Sequence, residues 1–279
     1  MGLEMNFESR NDPFIDIRYM KFDSPNKFHG FHIHDEYELI YVIDGIGYVF
    51  IEGNLQTYSK GDVILTKGSE LHAPLSDALC IRILFDSAEI RSMSPKENDL
   101  LDIFDKRPRG FYNIVRGSCD EADLIMRSAE DMLGLSYKSC QRNDSGLLKS
   151  FLDLLRLLGK LYGSYRERSF QSIYSPHLRE IIDHININFD KDLRLCTICS
   201  EFYISPQHLN RLFKKISGGS VHDYIVSRRL IRSKELLKSG HSVSESCSMS
   251  GFKDYSNFIR LFKAKTGMSP GKYARRYDH

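Results

Sequence analysis

Four side chains in the first third of the chain have the types and the spacing of a metal-ligand set. Two histidines lie two residues apart, a glutamate follows four residues later, and a third histidine comes after a Gly-Asp turn and an apolar run. These residues are His32, His34, Glu38 and His72. Imidazole and carboxylate groups suit first-row metals such as iron or manganese. Because alternate side chains of a strand share a face, the first three are expected to point the same way, together with Glu36.

The same four side chains can also bind an organic molecule and no ion. A buried carboxylate beside three imidazoles must either hold a cation or share protons, because an isolated charge is costly to desolvate. Either state leaves polar groups that can engage the hydroxyl or carboxylate groups of a small molecule. The residues therefore predict an effector site, with a divalent metal as an alternative occupant, and Glu36 is expected to be solvated.

Short strands are expected to position these residues. Between residues 14 and 85, apolar and polar side chains alternate in short runs that are rich in β-branched and aromatic types. Glycine, asparagine and aspartate separate the runs, which is typical of a β-sandwich or a small barrel. The five runs are FIDIRYMKF, YELIYVIDG, GYVFIEG, GDVILTKG and LCIRILF.

This strand-rich segment resembles the cupin family over roughly residues 14–86. The first cupin motif, His-x-His followed by Glu and Gly, fits the first three site residues and Gly45, and the second motif fits Gly61 and His72. Lys67 and Ser69 stand where the second motif usually has Pro and Gly. The resemblance implies a small double-sheet barrel whose mouth holds a metal or an organic ligand.

The last third of the chain contains a duplicated segment. LNRLFKKISGGSVHDY, at 209–224, aligns without a gap with FIRLFKAKTGMSPGKY, at 258–273, at an offset of 49 residues. Each copy has a helical apolar face, a glycine that ends the helix and a serine that can cap the next one. A solenoid needs at least three copies. Two copies predict a pair of helix-turn-helix units.

The outward faces of the two copies carry polar and basic side chains. The helix that runs into the first copy presents Gln207, Asn210, Arg211 and Lys214, and the helix that runs into the second presents Ser256, Asn257, Arg260 and Lys263. From residue 176 onward the chain has 18 Lys and Arg against 10 Asp and Glu, whereas the preceding part has 21 against 27. This asymmetry indicates a nucleic-acid-binding domain at the C-terminal end.

The segment from 176 to 277 resembles the AraC/XylS-type transcription regulators. The resemblance is carried by the repeated Arg-Leu-Phe-Lys and by the tyrosine that follows each Gly. It implies recognition helices that start at Pro206 and Tyr255, joined by a long helix over 221–239. Base contacts would fall to the Gln, Asn, Ser and Arg residues of the outward faces, because Asn and Gln can pair with adenine and Arg with guanine. The two lysines, one turn further on, would contact phosphates.

Three residues depart from the AraC/XylS pattern. Tyr203 occupies a turn position where the family often has Gly, which predicts an altered turn. Ser246 and Ser250 stand where the family usually buries Ile and Val. The first helix of the second unit is therefore expected to pack less well, by about 1 to 2 kcal/mol for each missing aliphatic group.

A leucine-rich helix beginning at Gly146 lies between the two parts. Its main apolar stripe contains Leu147, Leu148, Phe151, Leu154, Leu155, Leu158 and Leu161, and Leu152 and Leu157 widen it. Two interpretations stay open: the helix packs on the barrel and on a second subunit, or it only completes the core of its own domain. The polar segment after it predicts an interdomain linker.

The remaining features predict a cytoplasmic protein. The sequence has no apolar run near the roughly 20 residues that a membrane span needs, and its first residues lack the order of a secretory signal. Its six scattered cysteines indicate reduced thiols.

Together these patterns predict an α+β multidomain protein: a cupin-like barrel with flanking helices, and an all-α domain with two helix-turn-helix units. The expected boundaries are 1–165 for effector binding and dimerisation, 166–175 for the linker and 176–279 for DNA binding. The predicted function is transcription regulation without catalysis, with double-stranded DNA, a small-molecule effector, a second copy of the chain and RNA polymerase as partners. Two alternatives are a cupin metalloenzyme fused to a DNA-binding module and a ligand-independent regulator whose barrel only dimerises.

Overall fold

The described chain has a strand-rich first part and an all-helical last part, as the patterns predict. A computed structural model describes residues 15–22, 31–74, 76–93, 100–138, 145–165 and 175–277. These residues form two compact units. One of them, the helical unit, comprises 31–34, 71–73 and 175–277, and the other, the strand-rich unit, comprises the rest. The predicted linker lies outside the described residues except for its last residue.

Among the described residues, two sheets make up the strand-rich part. A five-stranded sheet has the order β1-β7-β2-β5-β8, and a three-stranded sheet has the order β4-β3-β6. All five predicted runs form strands, whereas β4, β6 and β8 were not predicted. The strands are β1 (Ile15–Phe22), β2 (Tyr37–Asp44), β3 (Ile46–Ile51), β4 (Asn54–Ser59), β5 (Val63–Thr66), β6 (His72–Pro74), β7 (Ala78–Phe85) and β8 (Ile114–Val115).

Four helices accompany these strands. They are α1 (Ser87–Met93), α2 (Asp102–Asp105), α3 (Cys119–Lys138) and α4 (Ser145–Tyr165). Alternate residues of the large sheet, such as Leu39, Tyr41, Ile81 and Ile83, form one buried cluster with apolar residues of α3 and α4. The alternation that predicted strands thus places one sheet face on the helices.

The apolar stripe of α4 is mostly buried in the core of its own unit. Phe151, Leu155 and Leu158 are fully buried, whereas Leu148 and Leu152 are only partly buried. The main stripe therefore packs in the core of its own unit, which both interpretations require, and contact of this helix with a second subunit stays a prediction. The partly buried leucines are what remains for contact with another subunit.

A buried ion pair ties the segment before β8 to β5. The guanidinium of Arg107 contacts the carboxylate of Glu70 with both side chains fully buried, and it also donates to the carbonyl oxygen of Leu65 at 3.2 Å. The backbone N–H of Gly110 donates to the same carboxylate at 3.0 Å. Burial alone would raise the pKa of Glu70, but these hydrogen bonds and the Arg107 charge hold it below its ordinary value. Glu70 is therefore ionised in the folded protein at neutral pH.

Seven helices lie within the described residues 175–277. They are α5 (Pro176–Asn188), α6 (Leu195–Glu201), α7 (Pro206–Ser217), α8 (Val221–Lys238), α9 (Val243–Met249), α10 (Tyr255–Thr266) and α11 (Pro270–Ala274). The 49-residue offset of the sequence repeat recurs in space, because α7 and α10 have the same length and their ends differ by 49 residues. Each repeat closes with the same aromatic pair: Phe213 lies 5.7 Å from Tyr224, and Phe262 lies 5.4 Å from Tyr273, between ring centroids. The duplicated helix-turn-helix prediction is confirmed.

Candidate functional site

Both predicted recognition helices have well-defined ends. The side chain of Ser205 accepts a hydrogen bond from the N–H of His208 at the start of α7, and Asp254 accepts one from Asn257 at the start of α10. At the other end, Gly218 and Gly267 adopt φ angles of 70° and 76°, which L-residues with side chains rarely adopt. The caps fix where each helix begins and ends, and therefore which side chains its first turns present.

Most of the predicted DNA-contacting residues are exposed on these helices. The exposed ones are Gln207, Arg211 and Lys214 on α7, and Ser256, Arg260 and Lys263 on α10, while Asn257 is half-buried. In both helices the arginine bonds to the residue three positions earlier. Arg260 donates to the side-chain oxygen of Asn257 at 2.7 Å, and Arg211 lies 3.2 Å from the Nδ1 of His208. These contacts hold each arginine along the outward face of its helix.

Asn210 has a structural contact that the sequence analysis did not foresee. It is half-buried, and its side-chain oxygen accepts a hydrogen bond from the backbone N–H of Val221 at 3.2 Å. That N–H is one of the unpaired donors at the start of α8. Asn210 therefore joins α7 to α8, and base contact by this residue remains a prediction. His208, which sequence reasoning passed over, is exposed beside Arg211.

Tyr203 takes a left-handed backbone conformation in the turn that leads into α7. An altered turn stays a prediction. Tyr203 has a φ of 50° and its side chain is 97% exposed. A non-glycine residue in this conformation costs about 1 kcal/mol or more. Its aromatic ring stands next to the recognition helix and has no part in the core.

Three of the four predicted effector-site residues converge. His34, Glu38 and His72 each offer one ligand atom, and these atoms lie within 4.8 Å of one another. His72 and Glu38 are buried and His34 is half-buried. His32 is exposed; it pairs with His72 in an isolated β-bridge, with ring centroids 5.7 Å apart, but lies outside the cluster of three.

The prediction that one continuous strand carries the first three residues and Glu36 is wrong. The chain bends at Asp35 and Glu36, and β2 starts only at Tyr37. Glu36 is exposed, as expected for a solvated carboxylate. Because of this bend, the side chains do not simply alternate along one strand. The β-bridge between His32 and His72 is what brings His34, Glu38 and His72 together.

The donor set fits a divalent cation with a small contraction. Two ligand atoms that each lie about 2.1 Å from one ion are at most about 4.2 Å apart. Two imidazoles and one carboxylate are a known combination for first-row metals. Glu38 also accepts a hydrogen bond from the hydroxyl of Thr66 at 3.2 Å, which orients the carboxylate. The nearby thiol of Cys80 stays protonated, because burial, followed by the charge of Glu38, raises its pKa to about 12.

The residues that alternate with the histidines belong to the helical unit. The ring of Phe31 is buried and lies 5.3 Å from the ring of Tyr224 on α8. Phe31 also fills the space beside Gly219, where an added Cβ would come within 2.9 Å of the ring. Ile33 packs against the apolar cluster that contains Phe258 and Phe262. Sequence reasoning missed this role because it assigned the whole segment to the barrel.

Comparisons with known proteins agree with both parts of the chain. Residues 198–276 match the model of a helix-turn-helix domain, and residues 14–78 match the model of an AraC-like ligand-binding domain. The HTH-type transcriptional regulator YfiF of Bacillus subtilis is 27% identical over 259 residues, which cover 88% of this chain and 79% of that protein. The HTH-type transcriptional activator RhaS of Salmonella schwarzengrund is 24% identical over 253 residues, covering 86% and 85%. Among solved structures, ToxT from Vibrio cholerae is similar at 13% identity and a TM-score of 0.38, covering 94% of this chain and 97% of that one.

The first helix of the second helix-turn-helix unit, α9, buries two serines at positions where the AraC/XylS pattern has aliphatic side chains. Ser246 and Ser250 are both fully buried. The hydroxyl of Ser250 donates to backbone carbonyl oxygens of its own helix. The hydroxyl of Ser246 has no hydrogen-bond partner among the residues that the structure describes. A buried polar group without a partner lowers stability. With Ser246, α9 therefore contributes less stability than it would with an aliphatic residue at this position.

Replacing Ser246 with alanine should therefore stabilise the helical unit. Ser246→Ala removes the unsatisfied hydroxyl and leaves the Cβ in place, so the free energy of unfolding should rise by about 1 kcal/mol beyond any gain in helix propensity. Ser244→Ala, at an exposed position of the same helix, measures that propensity gain alone. Denaturant unfolding compares the two. Equal stabilities, or a loss in Ser246→Ala, would contradict the burial argument.

Proposed function

We propose that this chain, which belongs to the AraC/XylS-type transcription regulators, reads DNA with α7 and α10 and responds to a small molecule bound by His32, His34, Glu38 and His72. The observation that supports DNA reading most directly is the repeat of two capped helices of equal length with exposed polar and basic faces. Such helices enter the major groove in helix-turn-helix proteins. The chain is a DNA-binding regulator with an N-terminal ligand-binding domain; which residues read bases, and what occupies the effector site, are the proposal.

The two outward faces suit different contacts with DNA. Arg260 and Arg211 present planar guanidinium groups, which can bond to guanine with two hydrogen bonds. Gln207, Ser256 and Asn257 are near the starts of their helices, where helix-turn-helix proteins contact base edges. Lys214 and Lys263 lie one turn later and are assigned to phosphates. Asn210 bonds to the start of α8, and we propose that it reads a base as well.

The effector site is supported by the convergence of polar side chains in a buried place. Two of the three clustered side chains, Glu38 and His72, are buried, and such a group of convergent polar side chains is typical of a small-molecule site. Because His32 and His34 alternate with Phe31 and Ile33, a ligand that shifts the histidines would also shift the residues that pack in the helical unit. This gives effector binding a physical route to the DNA-binding helices.

A divalent metal is a second candidate for this site, favoured by the His34, Glu38 and His72 cluster. A bound cation would supply a charge that fixes the two imidazoles and the carboxylate and could engage an oxygen of the effector. Both relatives are named as HTH-type regulators of transcription, and we propose that this chain performs no catalysis. Turnover of a small molecule by the metal-loaded protein would instead favour the metalloenzyme alternative.

We further propose that the chain acts as a homodimer in the cytoplasm. Leu148 and Leu152 lie one turn apart on α4 and are only partly buried, which leaves apolar surface for a second copy. None of the described helices is both long and apolar enough to span a bilayer. The cytoplasmic location is inferred from the DNA partner, and RNA polymerase is proposed as a further partner because the family acts on transcription.

Arg260→Ala and Lys263→Ala should have different effects on DNA binding. Loss of Arg260 should cost about 1 to 3 kcal/mol of binding free energy and relax specificity at one or two base pairs, whereas loss of Lys263 should weaken all sequences alike. Titrations with duplexes that differ at single base pairs, at fixed salt, measure both effects. If Arg260→Ala kept the affinity and the sequence preference of the wild type, the outward face of α10 would be assigned wrongly.

His34→Ala should abolish the effector response and change basal promoter affinity by no more than about threefold, because the DNA-binding faces remain intact. The small molecule that co-purifies with the chain, identified by native mass spectrometry, serves as the ligand, and divalent metal content is measured on the same sample. His177→Ala, at an exposed histidine of α5, is the matched control. A normal response in His34→Ala would place the sensor site elsewhere.

Leu152→Glu should yield a folded monomer that binds paired sites less tightly. Leu155→Glu, by contrast, places a charge in the core, and we expect it to unfold the strand-rich unit that contains α4. Sedimentation gives the oligomeric state and circular dichroism gives the folding of both variants. A folded Leu152→Glu protein that stays dimeric would remove this face of α4 from the interface.

A further inference from the structure

A set of contacts outside the two recognition helices joins one helix-turn-helix unit to the other. The turn over residues 189–192 follows α5 and leads into the first unit. The turn over 250–253 lies between α9 and α10, directly before the second recognition helix. Both turns meet Arg229, which is half-buried near the middle of α8. All of these residues belong to the helical unit.

Arg229 bonds to the first turn through two nitrogens. Its Nε donates to the carbonyl oxygen of Phe189 at 2.7 Å, and a terminal nitrogen donates to the carbonyl oxygen of Lys191 at 3.0 Å. These carbonyls lie at and beyond the end of α5, where backbone acceptors need partners. The same guanidinium lies 6.0 Å from the ring centroid of Phe252, a buried residue of the second turn. Arg229 therefore contacts both turns at once.

Gly251 brings the two turns into direct contact. A Cβ added at this position would lie 2.5 to 2.8 Å from backbone atoms of Asp190, closer than side chains and backbone approach each other. Gly251 also has a φ of 88°, which disfavours any other residue. Beside it, the ammonium of Lys253 lies 2.7 Å from a carboxylate oxygen of Asp192. The contact thus consists of a close backbone approach, an arginine with two bonds and an ion pair.

We propose that Arg229, Gly251 and Lys253 are positioning residues that fix the distance and rotation between α7 and α10, and so set the number of base pairs between the two DNA boxes. This inference rests on the proposed DNA binding by both helices. One added base pair moves the second box by about 3.4 Å and rotates it by about 34°. A hinge at α8 alone could absorb such a change by bending, whereas two turns held in contact resist it.

The experiment compares duplexes of different spacing on the full-length chain. The starting duplex is the one that the wild-type protein selects from a random-sequence library, and a second duplex carries one extra base pair between the boxes. We expect the insertion to weaken wild-type binding by more than about tenfold and to weaken Arg229→Ala binding by less than about threefold. Affinity for a duplex with only one box should be unchanged in the variant, which a general loss of folding would not allow.

Matched variants keep the result decisive. Arg232→Ala removes an exposed arginine three residues further along α8, which pairs only weakly with Glu235 at 3.4 Å, and it should keep the wild-type insertion penalty. Arg229→Lys, which retains the charge but loses the two-pronged bond, should show an intermediate penalty, and it replaces Arg229→Ala if that variant does not fold. A folded Arg229 variant with the full wild-type penalty would overturn the proposal. If the wild type selected no paired boxes at all, the proposed DNA reading would fail instead.

Discussion

The repeat of the DNA double helix sets the constraint on which the helical unit depends. Two recognition helices can read successive major grooves on one face only if they lie about 34 Å apart. The 18 residues of α8 span about 27 Å at 1.5 Å per residue, so the connecting helix supplies most of that distance. Its start is held by a capping box between Ser220 and Asp223. Each of the two helices packs on its own helix-turn-helix unit through the same Phe-Tyr pair.

The two helix-turn-helix units have the same arrangement of helices but differ in their buried contacts. The first recognition helix is joined to α8 through Asn210. The second is preceded by α9, which buries serines in place of aliphatic side chains. Contacts with Arg229 and Asp190 hold the turn after α9 against the first unit. The turn before the second recognition helix is thus held by contacts from outside its own helix-turn-helix unit.

Much of this arrangement could be predicted from the sequence, because it rests on local chemistry. N-caps at Ser205 and Asp254 and C-caps at Gly218 and Gly267 fix the ends of α7 and α10, and the repetition of this segment at an offset of 49 residues predicts two equal units. The runs of alternating apolar and polar residues predict strands, because successive side chains of a strand point to opposite faces. The convergence of His34, Glu38 and His72 was also predicted, although the straight strand expected to produce it is replaced by a bend and a β-bridge. A bend of this kind depends on pairing with a distant segment, which period-two alternation does not encode.

What the sequence could not supply was the set of partners between distant segments. Nothing in the spacing of Asn210 indicates that it would bond to Val221 across a turn. The packing of Phe31 against Tyr224 joins residues that lie almost 200 positions apart, and apolar side chains give no directional signal about their partners. The same holds for the ion pair of Glu70 and Arg107, which satisfies two charges that are far from each other in sequence. Such contacts arise from the fold and have to be observed.

The central claim is that two helix-turn-helix units of one chain read two DNA boxes at a fixed spacing. Selection of binding sites from a random duplex library by the wild-type chain, followed by footprinting of the selected sites, tests it most directly. The account predicts two conserved boxes whose centres are about 10 to 10.5 base pairs apart and are protected on one face of the duplex. A single box, or two boxes at variable spacing, would contradict it.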